Sequence, residues 1–191
     1  MRHDWKVQQA VMSAKLAKKI IDGLNILIVD GNPYMRKITR IMLMNLGAKQ
    51  VYEAGDGLAA LEAIRTLDPD VMVIDWDMPV LSGTEVTRIV RSPGVFPRPN
   101  LPIIMLTGRS ERQFVNEALR AGVHEFLIKP TSPKALMDRL ISIMFRPRPM
   151  VQLGKYYVPQ PRRAPPREMP HLSELPQLAQ MREIKTLQAV A

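Results

Sequence analysis

Five polar residues stand at the ends of short apolar runs that lie far apart in the chain. Asp30 follows Asn25-Ile26-Leu27-Ile28-Val29, and Asp75 follows Val71-Met72-Val73-Ile74 with Asp77 two residues later. Thr107 follows Ile103-Ile104-Met105-Leu106, and Lys129 follows Glu125-Phe126-Leu127-Ile128. Three carboxylates, one hydroxyl and one ammonium, once gathered, make a small oxyanion-handling site. Carboxylates hold a hard cation such as Mg²⁺, while Lys and Thr meet the charge of a phosphoryl group. Competing arrangements are weak: His3, His124 and His171 lack ligand spacing, no Gly-rich phosphate loop occurs, and no Ser/His/Asp order stands out. The chain has no cysteine, which excludes disulfides, thiolate catalysis and zinc-thiolate sites.

Gathering these residues requires a sheet whose strands all end on one edge. The four runs above, with Gln50-Val51-Tyr52-Glu53, read as five strands, and three of them are almost wholly apolar, as strands covered on both faces must be. Between them, helical periodicity runs over 33–46, 57–67, 83–91, 111–121 and 133–145. Pro33 suits a first turn, Gly47 and Gly122 suit left-handed C-terminal positions, and Ser110 and Ser132 are placed to cap the helices that follow. Gly55-Asp56-Gly57 reads as a turn into a helix, and Asp68-Pro69-Asp70 as a helix stop. Five strand-helix units give a doubly wound α/β domain over 24–145, with ligands bound at the carboxyl ends of its strands.

Charge separates this domain from its flanks. The chain carries 27 basic and 18 acidic residues, a formal net charge of +9, yet 24–145 is close to neutral and the excess sits in residues 1–23 and 146–191. Residues 1–23 read as an amphipathic helix with Val7, Ala10, Val11, Ala14, Ala17 and Ile21 on one stripe, which rests on the domain or forms a homodimer. Residues 146–191, rich in Pro and Arg, read as a basic and largely disordered tail. Interleaved Tyr and Arg there could stack on single-stranded nucleic acid, but a solvated linker is the expectation. No run approaches a membrane span and no signal-peptide core is present, so a cytoplasmic protein is expected.

The blocks Ile26-Leu27-Ile28-Val29-Asp30, Glu53-Ala54-Gly55-Asp56-Gly57, Asp75-Trp76-Asp77-Met78-Pro79 with Ser82-Gly83, Leu106-Thr107-Gly108 and Lys129-Pro130 together resemble a two-component receiver domain of the CheY type. The resemblance covers roughly 24–145 and implies a (βα)₅, flavodoxin-like fold. It implies that Asp75 accepts a phosphoryl group from a histidine kinase or histidine phosphotransfer protein, with Mg²⁺ held by Asp30, Asp75 and the backbone carbonyl of Asp77. It further implies that Thr107 contacts the phosphoryl group, that Lys129 pairs with it, and that Gly108 leaves room beside it. Such a protein is a single-domain response regulator, not an enzyme; it presents a surface to a downstream partner through the fourth helix, fifth strand and fifth helix, with Arg109, Arg112, Phe114, Val115 and Glu117 as exposed or recognition positions.

Two positions depart from the family's pattern. Receivers usually place two adjacent acids after the first strand, and here the second is Gly31. Fewer anionic ligands weaken binding of a hard cation, unless Asp30, the Asp77 side chain or the Asn32 amide oxygen compensates. The alternative is a degenerate receiver that binds its partner without phosphorylation; a third reading gives the basic arms to nucleic acid. The aromatic switch position is Phe126 rather than the commoner Tyr, so a ring can still rotate but has no hydroxyl to bond.

Overall fold

The computed structural model describes residues 21–160 of the chain. Strands β1 (Asn25–Val29), β2 (Gln50–Ala54), β3 (Val71–Asp75), β4 (Ile103–Thr107) and β5 (Glu125–Ile128) alternate with helices α1 (Pro33–Leu46), α2 (Gly57–Leu67), α3 (Gly83–Val90), α4 (Arg112–Ala121) and α5 (Pro133–Phe145). All pairings within this sheet are parallel, in the order β2-β1-β3-β4-β5. Successive side chains of a strand point to opposite faces, so a strand covered on both sides must be apolar throughout. Leu27, Met72, Ile74, Ile103 and Met105 accordingly pack with Ile64, Val86, Val90 and Ala118 of α2, α3 and α4. Ile26, Ile28, Val71, Val73 and Ile104 turn the other way, toward Leu43 of α1 and Leu140 and Ile143 of α5. Ile21 and Leu24 join this second cluster, so packing begins before the first strand.

Helix ends follow the expected chemistry with one exception. Asn32 caps α1 by accepting from the amides of Tyr34 and Met35, with Pro33 in the first turn. Asp56 caps α2, and Ser132 caps α5. Gly47 and Gly122 close α1 and α4 at φ 100° and 101°, where a side chain would be strained. The exception is α4, where Ser110 lies one residue outside the cap position. Glu111 occupies that position and makes no side-chain hydrogen bond.

The expected disordered tail does not begin at 146. β6 (Met150–Leu153) and β7 (Tyr156–Pro159) form an antiparallel hairpin around Gly154-Lys155, with Gly154 at φ 61°. The prolines bracket this hairpin instead of breaking it: Pro149 offers its carbonyl to the Gln160 amide, and Pro159 sits at the strand end. Arg148 donates to the carbonyls of Val123 and His124, and the Tyr157 amide donates to the Arg91 carbonyl, which fastens the hairpin to the domain. Residues 1–20 of the proposed N-terminal helix and the rest of the tail, with the homodimer and nucleic-acid readings attached to them, lie outside the described residues. Among the described residues no helix is long and apolar enough to cross a membrane.

Candidate functional site

Strand order reverses between β1 and β3, because β1 connects outward to β2 on one side while the chain returns to β3 on the other. This leaves a crevice at the carboxyl ends of those two strands. An open cleft of about 620 Å³ lies there, lined by Asp30, Gly31, Asn32, Pro33, Met35, Asp75, Asp77, Pro79 and Lys129. Asp30 is the residue after β1, Asp75 the last of β3, Thr107 the last of β4, and Lys129 the residue after β5.

Lys129 joins the two buried acids. Its Nζ stands 2.8 Å from Asp30 Oδ2 and 2.8 Å from Asp75 Oδ1. Burial opposes the ammonium, but hydrogen bonds to Asp30 and Asp75 outweigh it and raise the Lys129 pKa above its ordinary value. Burial pushes the Asp75 carboxyl up, against the lowering effect of Lys129. Desolvation thus prevails at Asp75 and pairing prevails at Lys129; the ion pair is the state that the 2.8 Å contacts describe. Asp30 is fixed further by the Asn32 amide on Oδ1, and Arg36 donates to its carbonyl.

The other expected site residues are placed less simply. Thr107 is fully buried, and its Oγ1 accepts the Arg109 amide at 3.0 Å, which leaves its own hydroxyl proton for an oxygen acceptor. Asp77 lines the cleft, but its carboxylate is turned to Arg109, 2.8 Å from Nη2. The Asn32 amide oxygen is committed to capping α1, so it does not replace the missing acid. Phe126 is half-buried against the α2–α3–α4 cluster. Of the positions expected to be exposed or to serve recognition, Arg109 and Arg112 are exposed, while Phe114, edge-on to Trp76, Val115 and Glu117 are half-buried.

Two features of the site escaped the sequence reading. A Cβ at Gly31 would stand 2.8 Å from Pro79 Cδ, so the proline ring fills the space an acid would enter. A Cβ at Gly83 would overlap the Asp75 carbonyl oxygen, so the start of α3 rests directly on the Asp75 backbone. The motif order hinted at both glycines, but only the path of the 76–82 loop shows what they touch. Within that loop exposed Val80 sits at φ 69°, an uncommon conformation for a β-branched residue.

The donor set suits a hard cation held weakly. Asp30 and Asp75 both line the cleft, each with one carboxylate oxygen on the Lys129 ammonium, and Mg²⁺ typically uses one or two carboxylates with phosphate oxygens and water. No group of three acidic or histidine side chains converges among the described residues.

Fold and site together define an open five-stranded α/β domain with an acid–lysine cleft at its strand reversal. The chain belongs to the response regulator receiver domain family, whose model matches residues 26–141. It is 35% identical over 124 residues to chemotaxis protein CheY-3 of Vibrio cholerae, covering 65% of this chain and 94% of that protein. It is 34% identical to chemotaxis protein CheY of Pseudomonas aeruginosa, covering 64% of this chain and 98% of that one. Among solved structures, Vibrio cholerae CheY4 aligns with a TM-score of 0.57 at 29% identity, over 63% of this chain and 98% of that chain. The receiver domain of the Pseudomonas aeruginosa sensor histidine kinase PA1611, solved with a magnesium ion coordinated in its active-site cleft, aligns with a TM-score of 0.56 at 30% identity. That alignment covers 63% of this chain and 95% of that one. This is a CheY-like receiver of two-component signalling.

Proposed function

We propose that Asp75 is a phosphoacceptor, loaded from a phosphohistidine on a histidine kinase or histidine phosphotransfer protein. On this reading the protein turns over no substrate of its own and signals by presenting α4, β5 and α5 to a downstream protein. The observation that carries it is the placement of Lys129 Nζ at 2.8 Å from both Asp30 and Asp75 in an open cleft.

An Asp75 carboxylate oxygen attacks phosphorus, the P–N bond breaks, and the departing imidazole keeps the electron pair and takes a proton from solvent. A carboxylate is a weak nucleophile, so positioning and charge neutralisation have to supply the rate. Lys129 offsets the charge on Asp75 and the arriving group, and the Thr107 hydroxyl donates to a phosphoryl oxygen. Asp30, Asp75 and the Asp77 backbone carbonyl would hold Mg²⁺, which when bound supplies countercharge to the phosphoryl oxygens.

One observation favours a second reading, a receiver that binds its partner without phosphorylation: Pro79 occupies the space beside Gly31, where an added acid would go. Incubation with acetyl phosphate separates the two. The first reading expects Mg²⁺-dependent addition of one phosphoryl mass that Asp75→Asn abolishes; an unmodified wild-type chain at high Mg²⁺ would leave only the second.

A further inference from the structure

Four of the five helices of the domain begin on a side-chain cap, from Asn32, Asp56, Ser82 and Ser132, and α4 does not. Contacts to the two residues that follow Asp75 hold its first turn instead. Phe114 meets Trp76 edge-on, with ring centroids 5.6 Å apart and planes at 84°. Arg109 places its guanidinium 4.9 Å from the Phe114 ring centre. The same guanidinium reaches both oxygens of Asp77, at 2.8 Å from Nη2 and 3.4 Å from Nε. The Arg109 amide, in turn, donates to Thr107 Oγ1. A planar fork that stacks on a ring while gripping a carboxylate is a geometry lysine reproduces poorly.

We propose that Arg109 is a positioning residue that couples occupation of Asp75 to the placement of α4. It holds the first turn of α4 against Trp76 and Asp77 until Thr107 is drawn toward a phosphoryl group. The proposal rests on the phosphoacceptor reading of Asp75. A phosphoryl group acts on this clamp in two ways. It competes with Asp77 for the guanidinium, because its negative charge arrives beside Asp77. It also draws the Thr107 hydroxyl toward itself, and because Thr107 Oγ1 accepts the Arg109 amide, that movement pulls on the backbone of Arg109. Phe126 has no hydroxyl and packs half-buried against the core, so it offers no polar contact of its own to carry this signal.

The clamp is partly exposed, with Arg109 and Asp77 side chains 44% and 59% accessible, so neither contact alone would be strong. Together, ion pair and ring contact are worth about tenfold in the opening equilibrium of one helical turn.

Amide hydrogen exchange over residues 109–118 of the full-length chain tests this, with and without acetyl phosphate and Mg²⁺ and with intact mass recorded in parallel. The wild type should exchange faster in the first turn of α4 once modified. Arg109→Ala should exchange about tenfold faster there before modification and gain little afterwards, Asp77→Asn should show part of the effect, and Arg109→Lys should restore part of it. Equal protection of that turn in unmodified wild type and Arg109→Ala overturns the proposal. So does an equal response of the two chains to modification, and in that case the mass gain shows the phosphoacceptor reading intact. A wild-type chain with no mass gain instead defeats that reading, and the coupling with it.

Discussion

Position 31 shows how one residue can set the working range of a site. The backbone at Gly31 does not demand glycine, since its φ is not in the left-handed region; what opposes a side chain is the Pro79 ring 2.8 Å from the Cβ position. Two opposed effects follow for Gly31→Asp. The added carboxylate should tighten Mg²⁺ binding, as affinity for hard cations rises with anionic ligand count. Overpacking against Pro79 should cost about 1–3 kcal/mol of stability. Calorimetric Mg²⁺ titration with urea unfolding checks both, and adding Pro79→Ala should recover the lost stability while keeping the tighter binding. The departure at Gly31 was legible in the sequence, as were Asp30, Asp75, Thr107 and Lys129, because each closes or follows an apolar run. The obstacle was not, because it depends on how 76–82 folds back across the cleft.

Among the elements, α3 bears most directly on the acceptor. Its first residue, Gly83, has no room for a Cβ against the Asp75 carbonyl, and the Gly83 amide donates to the Trp76 carbonyl at 2.9 Å. Ser82 and Glu85 form a reciprocal capping box that fixes this end, and the hydrogen bonds from Ser82 hold the Glu85 carboxyl below its ordinary pKa. Ser82→Ala should therefore lower stability by about 1 kcal/mol, measured by urea unfolding at neutral pH. Strands and helices were readable because apolar runs and capping residues are local signals. The hairpin was not: its composition is that of a linker, and it is fastened by Arg148 and Tyr157 to residues far away in sequence. The start of α4 failed for a related reason, since tertiary contacts of Arg109 and Phe114 replace its cap.

Over the whole molecule, the strand edge opposite the cleft carries a buried polar joint. Arg91 is fully buried and donates to the carbonyls of Gly122 and Pro99, and its Nη2 meets His124 Nδ1 at 3.1 Å. The Ile103 amide also donates to that nitrogen, so His124 is held neutral as an acceptor. Burial, with Arg91 and Arg148 nearby, lowers its pKa to about 3. Burial and Arg148 lower that of Arg91 to about 9. A histidine depressed in the native state binds its proton in the unfolded chain first. Stability is therefore full above about pH 6.5 and falls below it by about 1.4 kcal/mol per pH unit, until the native histidine titrates. Between pH 7 and pH 5 the loss from this group should be about 2 kcal/mol in urea unfolding. His124→Asn, which accepts without titrating, should flatten that slope; an unchanged slope would count against a buried neutral His124. In the sequence His124 showed only the absence of metal-ligand spacing, because its partners are Arg91 just after α3, Ile103 at the start of β4 and Arg148 before β6.

The central claim, that Asp75 is the residue that carries the phosphoryl group, is tested most directly by mapping the modification. The full-length chain is incubated with acetyl phosphate across a Mg²⁺ series, and the modified residue is located by peptide mass spectrometry. The account predicts a single phosphoryl group on Asp75, increasing with Mg²⁺ into a high concentration range and absent from Asp75→Asn. Modification at another residue, or none at any Mg²⁺ concentration, would contradict it.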